Sequence, residues 1–490
     1  MKLLSLLALM FAGSLAFATD VITVVDESQN PVANATVLFG YDSNNPFPGN
    51  TLTTDGNGLA QAPGAWKAAL PVTVQAPGFV AATIPVAVPG SMTVQLSHQE
   101  MPTPIQIGGQ TTGFGTMTDN GKVQFGMVIP AFYRSQLISF DISTIISPQT
   151  DQISVLGQNV NLPSNVTLPT QTVTYVFPVK LDKPNYRSYV RYNGSTLMTA
   201  MHGNFQLSKV VGEIRAGKSI FDMLNDFAFT EGGTATVNVN GNVQQDMPVN
   251  QTPFSATSNV QAPQFAANQL MVSMALDSSN GAMLPTDLKR FSSGQANIMH
   301  TAGSAPNVIS LLMVNANPFV GAAQKAMEIL NPGENFIETA AFTPRTNPQG
   351  FTQLSYNLMP APAGGVAPQF IPLMNAPTFD SANNVLKMTP PTLPAGLTAV
   401  ATYAVMTEVL SLQGGTVQSE QRTRLWEVWS PAWLTQIELP KIAFTRNPAR
   451  TYRWEVMYLA QPSSVTSGTT SVNGVDLNSV THVTRNAVSL

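Results

Sequence analysis

From Val21 onward the chain is written in short runs in which apolar and polar residues alternate with a period of two. That period is its tightest constraint. Val21-Ile22-Thr23-Val24-Val25-Asp26 alternates, Glu27 to Asn30 turns, and Pro31-Val32-x-x-Ala35-x-Val37 begins the next run. Successive side chains of a strand point to opposite faces, so such runs specify half-buried β-strands. Similar runs return at 122–129, 172–177, 234–239, 270–276 and 308–314, with separators rich in Asn, Pro and Gly. Those residues supply the backbone of tight turns. The expected class is mainly β: chained antiparallel β-sandwich domains with one or two short helices, near 207–226 and 318–330. In the first helical patch Val210, Ile214, Gly217, Phe221 and Leu224 fall on one stripe, and in the second Phe319, Ala323, Met327 and Leu330 do.

The first residues carry a different signal. Lys2 is followed by an almost wholly apolar run from Leu3 to Leu15, then by Ala16-Phe17-Ala18, a small-x-small pattern. This reads as a signal peptide over 1–18, too short for a membrane span. The expected location is outside the cytoplasm: periplasmic, outer-surface or extracellular, in a bacterial envelope setting. The chain has 0 Cys among 490 residues, which removes disulfides, thiol nucleophiles and thiolate ligands together, so stability must come from apolar cores. Charged residues make up 10%, against roughly 25% in typical globular proteins, and the net charge is −4. No basic field exists to attract phosphate backbones, so nucleic acid is not an expected partner. No later stretch predicts an integral membrane span.

Residues 20–98 are the most readable region. The ordered elements are a V-x-V-x-D-like run, Ile22-Thr23-Val24-Val25-Asp26, P-V-x-x-A-x-V at 31–37, Thr54-Asp55-Gly56-Asn57-Gly58, and Val72-Thr73-Val74 leading to Ala76-Pro77-Gly78-Phe79. Together they resemble the carboxypeptidase-regulatory-like module, a transthyretin-like β-sandwich. The resemblance implies an accessory module without an active site of its own. The expected division is then 101–260 as a β-rich domain, 261–375 as a β-rich domain with a short helix, and 376–490 as a β-sandwich. The spacing of strands at 397–410, 422–429, 433–439 and 452–460 gives that last unit a weak resemblance to fibronectin type III or immunoglobulin-like sandwiches. The Pro-rich stretch 359–377 reads as a linker or extended edge. The tail after Gln461 reads as a last strand or a frayed end.

Gly212-Glu213-Ile214-Arg215-Ala216-Gly217-Lys218-Ser219 matches the phosphate-loop pattern letter for letter. Such a loop wraps backbone N–H groups around phosphates after a buried parallel strand, and Glu213, Ile214 and Arg215 are poor fillers for it. The match is judged spurious, and no nucleotide site is expected. His98, His202, His300 and His482 lie far apart without metal-ligand spacing and read as surface or turn residues, so no metal and no cofactor is implied. The Asp42-Ser43-Asn44-Asn45 loop and the Asp55-Gly56-Asn57 turn carry oxygen ligands but lack calcium-loop spacing and read as turns. No serine elbow or S-x-x-K setting is found. A carboxylate pair for glycoside hydrolysis leaves no sequence mark and stays open.

Four of five tryptophans, Trp426, Trp429, Trp433 and Trp454, gather near the C-terminus. Strict alternation puts Arg422, Arg424 and Trp426 on one strand face. Exposed, Arg422, Arg424, Trp426, Trp429 and Trp433 would form a cation and aromatic platform for a sugar or peptide. Buried, the tryptophans are core. The reading that remains is a non-catalytic exported protein with an adhesion, scaffolding or envelope-associated binding role toward a glycan or protein on a cell surface. The alternative is a secreted hydrolase of polysaccharide or peptide, which would show two carboxylates facing each other in a cleft of the 101–375 region.

Overall fold

The structure, a computed structural model, describes residues 20–101, 103–116, 120–133, 149–155, 158–175, 177–215, 223–264, 266, 269–279, 282–291, 294–304, 306–314, 354–361, 365–414, 417–442, 447–466 and 472–490. The signal-peptide segment and the 318–330 helix lie outside the described residues. The chain is mainly β, with several antiparallel sheets, a few parallel pairs, and among the described residues one α-helix, Leu207–Arg215.

The first region folds where its alternation says it should. Leu59–Gln61, Val21–Val25 and Met92–Gln95 form a three-stranded sheet. It faces four strands in the order Phe47–Thr53, Thr36–Phe39, Leu70–Gln75 and Ala81–Ala87. Ile22, Val24, Val37, Val72, Val74, Val94 and Leu96 fill the space between, and Trp66 meets Phe39 edge-on at 5.0 Å. Each such burial stabilises by about 1.5–3 kcal/mol. Gly58 takes φ +71°, and a Cβ there would run into Val24 O, so the turn that aligns Leu59 with Thr23 needs glycine.

Those four strands are not the edge of a separate unit. Ala81–Ala87 pairs in parallel with Val417–Ser430, making one thirteen-stranded sheet. Beyond Val417–Ser430 it continues through Leu397–Gly414, Thr451–Pro462, His482–Ser489, Leu354–Pro360, Asn307–Val314, Gln269–Ser279 and Ala282–Phe291 to Phe132–Tyr133. The ladder thus crosses 98, 260 and 375, where the sequence suggested boundaries. The 482–489 tail is an inner strand, between Leu354–Pro360 and Thr451–Pro462.

Both faces of this sheet are covered. On the first, Leu270, Val272, Tyr403, Val405 and Met457 meet Val123, Phe125, Ile129, Met201 and Phe229 of a six-stranded sheet. The other side of that smaller sheet packs Val128, Met198, Ala200 and Val237 against Ile107 and Tyr186. On the second face, Met406, Trp426, Val428, Trp454 and Tyr458 pack on Leu386 and Ile437 of the small sheet Thr378–Asp380, Val385–Lys387 and Gln436–Glu438. Further along, Met271, Ala275 and Val308 meet Val260 and Ile298 of the two-stranded sheet Ala256–Gln261/Gln295–His300.

The expected linker at 359–377 is divided between two roles. Its first residues close the Leu354–Pro360 strand, and 365–377 lies across the second face of the large sheet with Ile371 and Met374 buried. Its prolines keep it out of the ladder, but the sheet's polar side chains reach its carbonyls, so it packs instead of linking.

Candidate functional site

Strict alternation fails at one residue of Val417–Ser430. Across from it, Met406 pairs with Trp426 but Thr407 pairs with Arg424, leaving Leu425 as an extra residue. This β-bulge reverses the facing of everything before it. Trp426 and Val428 therefore face Met406 and Trp454, whereas Arg424 shares the opposite face with Glu427 and Trp429. Arg422 pairs its backbone with Val409, and its side chain lies outside the described set.

The expected platform is not assembled. Trp426 is 5% exposed and Trp429 3%, each inside a different core. Trp454 meets the Trp426 ring at 5.4 Å. Trp433 is half-buried, donates its indole N–H to Leu459 O at 2.8 Å and lies 4.9 Å from the Tyr458 ring. Two features defeat it: the inserted residue separates Arg424 from Trp426, which alternation had placed together, and the tryptophans on both faces are covered by packed cores.

What the bulge builds instead is a buried anchor around Glu427, which is 2% exposed. Arg424 Nη1 donates to its Oε1 at 2.9 Å, Tyr403 O–H donates to the same oxygen at 3.0 Å, and Trp429 N–H reaches Oε2 at 3.3 Å. Arg424 Nε also lies 3.3 Å from Glu100 Oε1, in the segment leaving the first region. Burial disfavours the Arg424 charge, but Glu427, Tyr403 and Glu100 outweigh it and raise its pKa. Burial, then the Glu427 charge, pushes the Tyr403 phenol well above its ordinary value. The register extends the pattern across the sheet. Arg424 and Arg453 flank Thr407, Glu427 and Glu455 flank Val405, and Arg485 pairs with Met457. These are successive rows of positive, negative and positive charge on one enclosed face. A carboxylate held by a guanidinium, a phenol and an indole N–H has its lone pairs engaged, so it anchors strands and is not free to take a proton from a substrate.

The same strand clamps the first region. Trp426 N–H donates to Thr83 Oγ1 at 2.8 Å, beside the parallel pairs Trp426–Ala81, Glu427–Ala82 and Val428–Thr83. The Asn473 carboxamide accepts from Gln95 N–H at 2.8 Å and donates to Gln95 O at 3.0 Å, capping the outer edge of Met92–Gln95. Lys441 N–H donates to Tyr41 O and Ser43 N–H to Lys441 O. Sequence reasoning missed Thr83, Glu100 and Asn473 because their partners lie far along the chain, 343 residues for Thr83 and Trp426, and missed Glu427 because the bulge at Leu425 decides which face it shares with Arg424. No local pattern marks such a pair.

Three histidines are inside, not at the surface. His202 bonds Glu231 Oε1 through Nδ1 at 2.8 Å, with the Phe114 ring edge-on at 5.1 Å. His300 Nδ1 faces Thr301 O at 3.0 Å, which leaves Nε2 to accept from the Ser258 hydroxyl at 3.1 Å. Ser304 joins this group to Asp277, donating at 2.7 Å. Ser258 and His300 are 3% and 6% exposed and face the core beneath the Ala256–Gln261/Gln295–His300 sheet, not a cleft. His482 is likewise buried, and His98 alone of the four is exposed, bonded to Glu27. All four sit on or beside strands, where alternation decides burial, and that is why isolated sequence position misled.

Other candidate chemistry resolves into structure. Gly212 to Arg215 already lie within Leu207–Arg215, and the preceding Gly194–Gln206 strand pairs antiparallel on both sides. Residues 216–219 lie outside the described residues. Asp42 and Asp55 accept N–H bonds from Asn44, and from Asn57 and Leu59, as turn residues do. In the 101–375 region Asp151 pairs with Lys183 and Arg187, Asp226 with Lys209, and Asp287 with Lys289. Burial lowers the Lys183 pKa and raises that of Asp287. Among the described residues no group of three or more His, Asp or Glu is placed to hold a metal, and no helix is long and apolar enough to cross a membrane.

No family model matches the chain, and no curated protein does. Among solved structures it is similar to the Bacillus anthracis TIE protein, at 8% identity over 60% of this chain and 45% of that one, with TM-score 0.15. A streptococcal ancillary pilin matches at 8% identity over 60% and 88%, with TM-score 0.14. BcpA, the major pilin subunit of Bacillus cereus, matches at 10% over 60% and 87%, with TM-score 0.14. The chain spans less than half the length of the first of these. Superpositions at such TM-scores assign neither fold nor function.

Proposed function

We propose that this is a non-catalytic exported protein with an adhesion or scaffolding role at a bacterial envelope. One observation carries the reading: Trp426 and Arg424 of Val417–Ser430 are engaged by Thr83 and Glu100 of the first region and the segment leaving it, while Glu427 beside them is enclosed by Arg424, Tyr403 and Trp429. A scaffold needs its modules held at a set geometry, and a hydrolase needs at least one carboxylate open to substrate. The low charge, the absence of cysteine and the leader-like first 18 residues support export. We also read residues 20–98 as a carboxypeptidase-regulatory-like module, supported by its two facing sheets and the ordered turn residues that delimit them. Its partner on this reading is a glycan or protein of a cell surface.

The test is to incubate the purified folded chain with cell-envelope fractions and a glycan array, and to assay the same mixtures for new reducing ends and new amino groups. Saturable retention without bond cleavage is expected. Cleavage that scales with protein concentration would establish the hydrolase.

A further inference from the structure

Segment 365–377 lies over the second face of the large sheet without joining its ladder. Three side chains hold its backbone. Asn357 Nδ2 donates to Gln369 O at 2.7 Å, Thr484 Oγ1 to Pro372 O at 3.1 Å, and Asn486 Nδ2 to Met374 O at 3.0 Å. Proline at 368, 372 and 377 removes N–H donors, so carbonyls are the handles that remain. Val366 is tied by two backbone bonds, to Asn259 and Gln261, while Ile371 and Met374 are the buried anchors. The segment itself contains no ionisable side chain.

Beneath it lies one. His482 pairs directly across the ladder with Asn357, and alternation puts it on the same face as Thr484 and Asn486. It is 3% exposed, with Nδ1 bonded to the Thr481 hydroxyl at 2.7 Å. His482 Nε2 and Asn357 Oδ1 are both buried without a hydrogen-bond partner among the described residues, which makes the closed arrangement costly to hold. Burial holds the imidazole pKa down at about 4. Among the described residues no carboxylate faces it. Arg453, Glu455, Arg485 and Tyr356 belong to the opposite face of the sheet, the Tyr458 hydroxyl is committed to Leu434 O at 2.6 Å, and His300 is bonded to Ser258 in the neighbouring core.

We propose that segment 365–377 is an acid-released strap: protonating His482 is accommodated by lifting the strap, which admits water to the imidazole and uncovers the Asn357, Thr484 and Asn486 stripe. The closed strap favours the neutral imidazole. That preference is fully present above the ordinary histidine pKa of 6.5 and is lost as pH falls from there toward about 4.

Met374, 1% exposed, reports the strap. Dilute hydrogen peroxide converts its thioether to the sulfoxide, transferring one oxygen and leaving water, with no net proton uptake. Peptide mass spectrometry is expected to show Met374 oxidised several-fold faster at about pH 4.5 than at about pH 7. Met198 and Met223, buried elsewhere, keep their rates. His482→Phe flattens the Met374 response. Thr484→Val, which removes one strap bond but keeps the histidine, raises the neutral-pH rate and retains the acid step. A Met374 rate that ignores pH, an acid step surviving in folded His482→Phe, or a parallel rise at Met198 and Met223 overturns the proposal.

Discussion

The first region and the strand it docks on are built by opposite means. Between Val21 and Leu96 the core between the two sheets is dominated by apolar side chains, with Ile22, Val24, Val37, Val72, Val74 and Val94 meeting across it. On Val417–Ser430 the alternation breaks at Leu425, and the face that results carries Arg424 and Glu427 inside the molecule. An apolar core tolerates small changes of shape because its forces are non-directional. A buried carboxylate with three named donors does not, since each donor is left unsatisfied when the carboxylate goes. The two regions should therefore respond very differently to truncation of a single side chain.

Glu427→Ala breaks that contrast most severely. It strands the Arg424 guanidinium, the Tyr403 hydroxyl and the Trp429 N–H together, and a loss of about 3–5 kcal/mol is expected. Val74→Ala, in the apolar core of the first region, removes only packing and should cost about 2 kcal/mol. Chemical denaturation of both variants measures the gap. Equal losses would mean that the carboxylate is replaceable and that the anchor is ordinary packing.

The contrast also marks what could be read in advance. Fold class followed from period two, because a half-buried strand writes its burial into neighbouring residues. The turns of the first region followed from Asp55, Gly58 and Gly78, whose backbone demands are local. The platform at Arg424 and Trp426 was misread because a bulge needs only one additional residue, and nothing in the run Arg424-Leu425-Trp426 marks Leu425 as that residue. The anchor and the strap were illegible for another reason. Trp426 finds Thr83 and Asn486 finds Met374 O only after the sheet has assembled, and no residue advertises a partner that distant.

Trp426→Phe sharpens the comparison by asking whether the two regions unfold together. The ring stays in its core while the N–H to Thr83 is lost, and about 1–2 kcal/mol is expected, since Thr83 Oγ1 still has the Thr73 hydroxyl at 2.8 Å. The parallel ladder at Ala81, Ala82 and Thr83 remains, so one cooperative transition should persist, seen as coincident curves by tryptophan fluorescence and far-ultraviolet circular dichroism. Two separated transitions would show that the indole bond was what joined the regions.

Asn473→Ala has the smallest expected effect and bears on the same joint from the other side. Asn473 stands at φ +51° in the turn from Val472 to Val475, and its carboxamide supplies both an acceptor and a donor to Gln95. Its loss leaves the Met92–Gln95 edge open to water, which satisfies the freed backbone groups, so the cost should be about 1 kcal/mol rather than the full value of two buried bonds. Amide hydrogen exchange is the sharper readout. The Gln95 N–H should lose protection while the Val94 N–H, inside the ladder with Val24, keeps it. If both amides lose protection together, the carboxamide is holding the whole three-stranded sheet in place, and the first region owes its order to the body it docks on as much as to its own apolar core.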